Sequence, residues 1–535
     1  MNFDDLQSRY PARRSAVYGR NGMVCTSQPL AAQAGLDMIK KGGNAVDAAI
    51  ATAACLTVVE PACNGIGGDS FALVWMKDRL YGLNASGPAP AAISAEKVRS
   101  LGCDTMPHYG WIPVTVPGAP SAWAALSGRF GKLPFQEVLA PAVDYARRGY
   151  PVSPVVSRLW GMAYQQYKEA LKEPCFESWF STFAPQGRAP KAGELWKSED
   201  HAQTLERIGE SEAEAFYRGE LARRMDQFSR NTGGFLRKED LAAYYPQWVE
   251  PIHVHYRGYD VWEIPPNGHG IVALMALNIL KGFDFIHKEC PETYHKQIEA
   301  MKLAFADGLA HVAAPGSMRV RIEDMLSEEY GAKRRKLVGE EALEPMAGRP
   351  ERGGTVYLCA ADGEGNMVSY IQSNYIGFGS GLVVPGTGIA LHNRGCNFSL
   401  EEGHPNCLAP GKKPYHTIIP GFLTRNGRAV GPFGVMGGFM QPQGHVQTLM
   451  NTIDFHMNPQ EALSAPRWQW IEGKRVELEH EVPSAFLQEL SDRGHQVSVP
   501  PDYVDFGRGQ IIWRDEKGVL AGGTDPRTDG IVAAW

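Results

Sequence analysis

The first sixty residues contain one short apolar run followed by two segments in which the apolar residues have helical spacing. Residues 23–26 follow an Asn-Gly pair and predict a strand. The next segment has Pro29 in its first turn, apolar residues at helical spacing and a Gly-Gly pair at its end, which predicts a helix. Asn44 begins a second, alanine-rich helix that Pro61 terminates. Because small side chains allow close helix packing, we expect this second helix to be buried.

The rest of the chain divides into a mostly helical middle, about 120–336, and a β-rich C-terminal third. Residues 339–354 have no apolar period and predict an exposed loop. Strands flanked by helical blocks favour a layered α+β architecture over independent modules. The predicted segments are a hairpin over 71–75 and 80–83, helices over 121–129, 135–148 and 294–312, a strand over 253–262, and strands within 355–373, 382–391 and 417–423.

Charge and composition exclude several classes of partner. The 535 residues include 53 Lys and Arg against 59 Asp and Glu, a net charge of −6. This balance offers no electrostatic surface for nucleic acid or an anionic membrane. The N-terminus has no apolar signal core, and the apolar stretch 48–59 is shorter than the ~20 residues of a membrane span. Nine cysteines without a C-x-x-C indicate reduced thiols, so we expect a soluble, cytoplasmic protein.

The motifs of several common enzyme classes are absent from the sequence. It contains no HExxH, no GxxxxGK[ST] and no GxSxG, which argues against zincins, P-loop NTPases and α/β-hydrolases in their usual forms. No two histidines stand at a convincing ligand spacing. We therefore expect neither a metal nor a cofactor.

Residues 353–373 carry the most informative pattern. Two β-like runs flank the five-residue loop 362–366, which would pair Ala361 with Met367. In that register Thr355 stands opposite Ser373, with Cβ atoms about 5 Å apart. A threonine that follows two glycines and faces a hydroxyl fits an N-terminal-nucleophile hydrolase. There the hydroxyl attacks the preceding Gly354 carbonyl, and the freed α-amine becomes the general base. The spacing alone also fits an ordinary hairpin with a Thr–Ser pair.

The chain contains, in order, the blocks KGGNAVDAAIA, VEPACNGIGGDSFAL, VPGAPSAWAAL, LPFQEVLAPAV, YHKQIEAMKLAFAD, GGTVYL, FGSGLVVPGTGIALHN, NPQEALSAPRW and GGTDPRTDG. These blocks resemble those of the γ-glutamyltransferase (glutathione hydrolase) family of N-terminal-nucleophile (Ntn) hydrolases. The resemblance implies a four-layered αββα sandwich made as a precursor and cleaved between Gly354 and Thr355. The large subunit, 1–354, and the small subunit, 355–535, would form one intertwined domain.

The resemblance also implies catalytic roles. Thr355 matches the nucleophile, and Ser373 stands at the position of a second threonine whose hydroxyl supports it. Gly437 and Gly438 match the glycine pair whose backbone N–H groups form the oxyanion hole. Removing one such donor typically costs ~10²–10³ in rate.

The residues that would bind a γ-glutamyl group depart from the family pattern. Ser86-Gly87-Pro88-Ala89-Pro90 replaces an Arg-Glu-x-Ala-Pro motif, so the arginine that pairs with the substrate carboxylate is missing. The family's asparagine is displaced to Asn374, directly after Ser373. Arg394 and Asn397 stand where the family has the Gln/Glu and Asp that bind the α-amino group. His416-Thr417 stands at the position of a Ser-Ser pair.

These departures predict a different acyl specificity. Neutral Asn397 supplies no counter-charge for an ammonium, and Arg394 would repel one, a loss of ~1.5–3 kcal/mol for the missing charge-assisted hydrogen bond. We expect Arg394, with His416, to bind a carboxylate in a glutaryl-type or other dicarboxylic amide, as in a cephalosporin-acylase-like branch. A salt bridge inside the fold is the alternative for Arg394. The connection 398–414 is short for a family lid, which favours hydrolysis over transfer.

Two other functions remain open from the sequence. One is a true glutathione hydrolase or transpeptidase with a glutamyl pocket rebuilt around Arg394 and His416. The other is a non-catalytic binding protein that kept the fold. Thr355, Ser373 and the Gly437-Gly438 pair argue against the second. The expected partners are a small acyl amide, glutathione-like or glutaryl-type, and the two subunits of one precursor.

Overall fold

The computed structural model describes residues 14–345 and 354–535. The strands in these ranges are β1 (Val17–Gly19), β2 (Gly22–Thr26), β3 (Asp69–Met76), β4 (Arg79–Ala85), β5 (Tyr150–Pro151), β6 (Leu195–Trp196), β7 (Gln247–Val249), β8 (Ile252–Tyr256), β9 (Tyr259–Glu263), β10 (Gly354–Asp362), β11 (Met367–Tyr375), β12 (Gly421–Arg425), β13 (Arg428–Met436), β14 (Trp468–Glu472), β15 (Arg475–Leu478), β16 (Gln496–Ser498), β17 (Arg508–Arg514), β18 (Leu520–Thr524) and β19 (Ile531–Ala534).

The helices in the same ranges are α1 (Pro29–Lys40), α2 (Ala45–Val59), α3 (Ala95–Ser100), α4 (Ala119–Phe130), α5 (Phe135–Arg148), α6 (Pro154–Ala170), α7 (Glu177–Phe183), α8 (Glu199–Glu210), α9 (Glu214–Tyr217), α10 (Glu220–Asn231), α11 (Lys238–Ala242), α12 (Gly270–Leu280), α13 (Pro291–His311), α14 (Ile322–Met325), α15 (Glu328–Arg335), α16 (Met440–Ile453), α17 (Pro459–Ser464) and α18 (Ser484–Asp492). No helix in the described ranges is long and apolar enough to cross a membrane.

Two seven-stranded antiparallel sheets form the centre of the molecule. Their strand orders are β1-β18-β17-β13-β12-β9-β8 and β19-β2-β10-β11-β3-β4-β7. The sheets pack face to face through β10 and β11 on one side and β13 and β17 on the other. Helices α1 and α2 pack against the second sheet, and α12 and α16 against the first. The predicted four-layered αββα sandwich is therefore confirmed. The second sheet contains strands from both sides of Gly354, and β2 lies between β19 and β10.

Local capping explains where α2 begins. The Asn44 side chain accepts the backbone N–H groups of Val46 and Asp47, and the Asp47 carboxylate accepts the Asn44 N–H, a complete capping box. All 15 residues of α2 are buried. A helix without a polar face belongs in the interior. The predicted burial of this alanine-rich helix is confirmed.

The prediction of one strand over 253–262 is wrong, because this segment is a hairpin. Its strands, β8 and β9, pair from Ile252–Glu263 to Tyr256–Tyr259. The turn uses Arg257 at φ +48° and Gly258 at φ +85°. A two-residue turn with left-handed backbone is the common hairpin connection. Arginine is an unusual residue at the first position of such a turn. The sequence therefore carries no standard turn signal here, and one continuous strand was predicted.

Two further predictions for the C-terminal third need correction. Residues 382–391 form no strand; Val383 and Ala390 make one isolated bridge around a turn with left-handed Gly386 and Gly388. The strand predicted over 417–423 begins only at Gly421, after Pro420. Proline has no N–H to donate to a sheet, which delays the start of the strand. Of the loop predicted over 339–354, residues 346–353 lie outside the described residues.

His201 in α8 makes protein stability depend on pH. Its Nδ1 lies 2.8 Å from Ser198 Oγ, and the ring packs against Gly388. Burial lowers the pKa of His201 to about 4. The folded protein keeps this ring neutral, whereas the unfolded chain protonates it below pH ~6.5. This contribution to stability is therefore fully present above that pH and is lost as the pH falls through 6.5 towards 4.

A His201→Gln variant should not show this loss. Between pH 7 and pH 5 we expect the free energy of unfolding of the wild type to fall by about 2 kcal/mol more than that of the variant. Urea unfolding of both proteins at pH 8, 7, 6 and 5 measures the difference. Parallel pH profiles would show that the ring is protonated in the folded state.

Candidate active site

The β10–β11 hairpin brings the Thr355 and Ser373 hydroxyls together. Pairs from Ala361–Met367 to Val356–Gln372 have the predicted register. The register then shifts, and Gly354 pairs with Tyr375. Thr355 therefore lies at an irregularity of the kind that redirects side chains beside active sites. Its Oγ1 lies 3.1 Å from Ser373 Oγ, and both residues are buried.

Ser373 links the threonine hydroxyl to the carbonyl that precedes it. Its Oγ donates to the Gly354 carbonyl oxygen at 2.7 Å and accepts the Tyr375 N–H at 2.7 Å. Because the single proton of Ser373 is donated to Gly354, the proton between the two hydroxyls comes from Thr355. Tyr375 has a left-handed backbone, φ +75°, which is strained for a tyrosine. Three hydrogen bonds thus fix Ser373 Oγ between the Thr355 hydroxyl and the Gly354 carbonyl.

Gly437 and Gly438 form the turn between β13 and α16. Their φ values are +137° and +60°, both in the region that favours glycine. The Met440 N–H donates to the Gly437 carbonyl at 3.0 Å as the helix begins. A helix N-terminus presents unpaired N–H groups and a partial positive charge. In the first turn of α16, Gln441 Nε2 lies 3.5 Å from Thr355 Oγ1, so this end of the helix faces the threonine.

Asp69 organises a buried polar cluster beside Ser373. The two residues are direct partners in the β3–β11 register and therefore share a face. The Asp69 carboxylate accepts from Arg394 Nε at 2.8 Å, Arg394 Nη2 at 3.2 Å, His416 Nε2 at 2.8 Å and His392 Nδ1 at 3.2 Å. These four side chains have no exposed surface. We call them the Asp69 cluster.

Electrostatics in the Asp69 cluster favour an ionised carboxylate and a neutral His416. Burial alone would raise the pKa of Asp69, but the charge of Arg394, with His416 beside it, holds this pKa well below its usual value. Burial lowers the pKa of His416 to about 4, and Arg394 adds to that shift. The internal salt bridge considered for Arg394 is therefore present. Its Nη1 also donates to Thr417 Oγ1 at 2.7 Å.

The two predicted asparagines have different surroundings. Asn374 is fully buried, and neither atom of its amide has a hydrogen-bond partner among the described residues. It packs against Gly65 and Gly68, where a Cβ would come within 3.0 and 3.1 Å of the amide. Asn397 ends the 3₁₀ turn Arg394–Asn397, and its buried Nδ2 has no partner in the described part of the chain. A buried polar group without a partner is rare, so the Asn374 amide and Asn397 Nδ2 stand out among the predicted site residues.

The sequence reasoning missed Asp69, His392 and Gln441. Asp69 lies in the block VEPACNGIGGDSFAL, but its pairing with Ser373 depends on strand neighbours that are some 300 residues apart in the chain. His392 and Gln441 stand in segments that carry other assigned residues. Only Asp69, a charged residue at the start of an apolar strand, gave a signal that could have been used.

One group of potential metal ligands occurs in the described ranges. The ligand atoms of His295, Glu299 and His495 lie within 4.8 Å of one another. His295 Nδ1 and His495 Nε2 are 2.9 Å apart, and Lys302 Nζ is 2.7 Å from Glu299 Oε1. The other nitrogen of His295 contacts the Gly339 carbonyl at 2.9 Å. These side chains are hydrogen-bond partners of one another, and His295 also connects α13 to the Gly339 carbonyl. Their hydrogen bonds explain why the three side chains lie together.

Comparison with known proteins identifies the family. The profile described as Gamma-glutamyltranspeptidase matches residues 31–535. The chain belongs to the γ-glutamyltranspeptidase family. The crystal structure of cephalosporin acylase from Bacillus halodurans is 61% identical, covers 100% of this chain and 99% of its own, and superposes with a TM-score of 0.96.

Two curated relatives cover nearly the whole chain. The glutathione hydrolase-like YwrD proenzyme of Bacillus subtilis strain 168 is 37% identical over 96% of this chain and 98% of its own length. The oxamate amidohydrolase proenzyme of Klebsiella pneumoniae subsp. pneumoniae is 33% identical over 97% and 100%. The predicted family and Ntn-hydrolase fold are thus confirmed. The protein is an enzyme, an Ntn amidohydrolase of the γ-glutamyltranspeptidase family.

Proposed function

We propose that the chain is a precursor that cleaves itself between Gly354 and Thr355 and then hydrolyses acyl amides through Thr355. The position of Ser373 Oγ, 3.1 Å from Thr355 Oγ1 and 2.7 Å from the Gly354 carbonyl oxygen, carries this proposal. The products would be a large subunit of residues 1–354 and a small subunit of residues 355–535. Their strands would remain paired in one sheet.

The hydrogen bonds supply a proton path for the cleavage. Thr355 Oγ1 attacks the Gly354 carbonyl carbon while its proton passes to Ser373 Oγ. Ser373 in turn gives its own proton to the carbonyl oxygen, so the tetrahedral intermediate carries no net charge. The C–N bond then breaks as the hydroxyl proton of the intermediate moves to nitrogen, and Gly354 is left as an ester on Thr355. Water hydrolyses this ester to release the Gly354 carboxylate and the free Thr355 α-amine.

The same groups serve the amide substrate after cleavage. The Thr355 α-amine takes the proton of its own hydroxyl as Oγ1 attacks, the substrate C–N bond breaks, and the amine leaves with that proton, which gives an acyl-enzyme. The backbone N–H groups of Gly437 and Gly438, at the positive end of α16, stabilise the oxyanion. Water then hydrolyses the acyl-enzyme. The short connection 398–414 supports hydrolysis over transfer, since it leaves the acyl-enzyme open to water.

The proposed acyl group is a glutaryl-type or related dicarboxylic one that needs no α-amino group. Asp69 is occupied by Arg394, His416 and His392, so it offers a substrate ammonium no free carboxylate. Three of the five N–H groups of Arg394 bond to Asp69 and Thr417, which leaves two for a substrate carboxylate. Asn374, Asn397, His416 and Thr417 would complete the pocket. Similarity to proteins named for a cephalosporin and for oxamate supports this acyl class.

Intact mass spectrometry of the purified protein tests the cleavage. We expect two fragments, one ending at Gly354 and one starting at Thr355. A single uncut chain that has no amidase activity would support a binding protein and refute the proposal.

Acyl specificity is tested with matched anilides. We expect the kcat/KM for a glutaryl anilide to exceed that for the γ-glutamyl anilide by about tenfold or more, since the ammonium loses ~1.5–3 kcal/mol of charge-assisted bonding. The two substrates differ only in the α-amino group. Preference for the γ-glutamyl compound would instead identify a glutathione hydrolase with a rebuilt pocket. The 37% identity to a glutathione hydrolase-like protein supports this second candidate function.

A further inference from the structure

The Gln441 side chain connects the start of α16 to the proposed nucleophile. Its backbone N–H donates to the Gly438 carbonyl at 3.2 Å, which places it in the first turn of the helix, and the residue is fully buried. Its Oε1 accepts the Ile419 backbone N–H at 2.9 Å, and its Nε2 lies 3.5 Å from Thr355 Oγ1. One helix terminus thus presents both the glycine pair and a side-chain donor.

The orientation of the Gln441 amide follows from its partners. The Ile419 backbone N–H can only donate, so it requires the amide oxygen of Gln441. The amide nitrogen must then face Thr355. If the amide oxygen and nitrogen of Gln441 were exchanged, its N–H groups would face the Ile419 N–H. The orientation with Oε1 at Ile419 is therefore the one that the contacts allow.

Thr355 Oγ1 has a lone pair free to accept this donor. Its single proton is directed to Ser373 Oγ, because Ser373 gives its own proton to Gly354. A Gln441 N–H directed at Thr355 Oγ1 therefore competes with no other bond. A hydrogen-bond donor that faces an oxygen stabilises the oxygen most when the oxygen carries negative charge.

We propose that Gln441 is a catalytic residue that stabilises negative charge on Thr355 Oγ1 in both halves of the reaction; this rests on the function proposed above. In acylation, charge develops on Oγ1 as its proton leaves for the Thr355 α-amine. In deacylation, the oxygen of water bonds to the acyl carbon and the bond between that carbon and Oγ1 breaks. The electron pair of the broken bond goes to Oγ1, which takes up the proton that water gave to the α-amine.

Gln441 and the glycine pair act on different atoms. In the proposed function the N–H groups of Gly437 and Gly438 stabilise the carbonyl oxygen of the substrate, whereas Gln441 faces Thr355 Oγ1, the attacking and leaving oxygen. Loss of Gln441 should therefore lower kcat while the acyl pocket, and with it KM, changes little.

The test is a Gln441→Glu substitution assayed at pH 8 with a glutaryl anilide. Glutamate keeps the oxygen that Ile419 requires but removes the N–H directed at Thr355. We expect kcat to fall ~10²-fold, the size typical for loss of one such donor, with KM within about threefold of the wild type. Gln447→Glu is the matched control, because Gln447 is buried in the same helix and, among the described residues, its side chain bonds to Trp468 and Gln443. It should retain wild-type kcat.

Several outcomes separate the possibilities. A cleaved Gln441→Glu enzyme with kcat within threefold of wild type would overturn the role of Gln441 and leave the proposed function intact. An uncut, inactive wild type would instead refute the proposed function. If the glutamate variant does not fold, Gln441→Met keeps the volume and should show the same ~10²-fold loss of kcat; an unchanged kcat would again overturn the role. Slower cleavage of Gly354–Thr355 in either variant supports it, since the same oxygen attacks.

Discussion

Replacing Thr355 with alanine is expected to leave a single uncut chain and to reduce amide hydrolysis by about 10³-fold or more, the scale seen when a nucleophile is removed. Both effects have one cause. Oγ1 of Thr355 is the atom that attacks Gly354, and the amine freed by that attack is the base for the later reaction. Intact mass and the rate of anilide hydrolysis, measured on the same preparation, report the two effects together.

Two controls make the Thr355 result specific. Thr355→Ser keeps the hydroxyl and should still cleave, although more slowly. Thr448→Ala removes a buried threonine of α16 whose hydroxyl has no hydrogen-bond partner among the described residues, and it should behave as the wild type. Two fragments from the alanine variant would mean that another group cleaves the chain, and the nucleophile would have to be reassigned.

The part of the site that could be predicted from sequence is the part made by one hairpin. A five-residue loop fixed the register of β10 and β11, and the pairs from Ala361–Met367 to Val356–Gln372 follow it. The shift at Thr355 could not be predicted, because it depends on the left-handed backbone of Tyr375. The hydroxyl pair still forms, since the shift moves the backbone partner of Gly354 and leaves Thr355 facing Ser373.

The rest of the site depends on contacts between distant segments. Asp69 reaches Ser373 because β3 is the other neighbour of β11, a choice of strand order that no local pattern contains. Arg394 was predicted at the site from the resemblance, but its anionic partner was not. The layered fold was predictable for the opposite reason: an apolar helix such as α2 and an apolar strand such as β3 can each be recognised from its own segment of sequence.

Removing the Asp69 carboxylate should destabilise the protein more than a typical point substitution does. Asp69→Asn leaves the Arg394 guanidinium fully buried with no counter-ion, which costs about 3–5 kcal/mol when one partner of a buried pair is lost. Urea unfolding at pH 7.5 measures the change. Asp104→Asn, at an exposed position, should stay within about 0.5 kcal/mol of the wild type.

The double variant Asp69→Asn/Arg394→Met distinguishes the ion pair from other roles of Asp69. Without the guanidinium no charge is left unpaired, so the double variant should be more stable than Asp69→Asn alone. A double variant as unstable as the sum of the two single ones would show that the two side chains are not coupled.

Asp69→Asn should also change the binding of the substrate. In Asp69→Asn the charge of Arg394 is no longer balanced, so the KM for a glutaryl anilide should fall relative to that for an acetyl anilide. If this ratio stays unchanged while stability falls, Arg394 holds the fold together and another group binds the substrate carboxylate. Asn374, with its unpartnered amide directly after Ser373, would then be the next candidate.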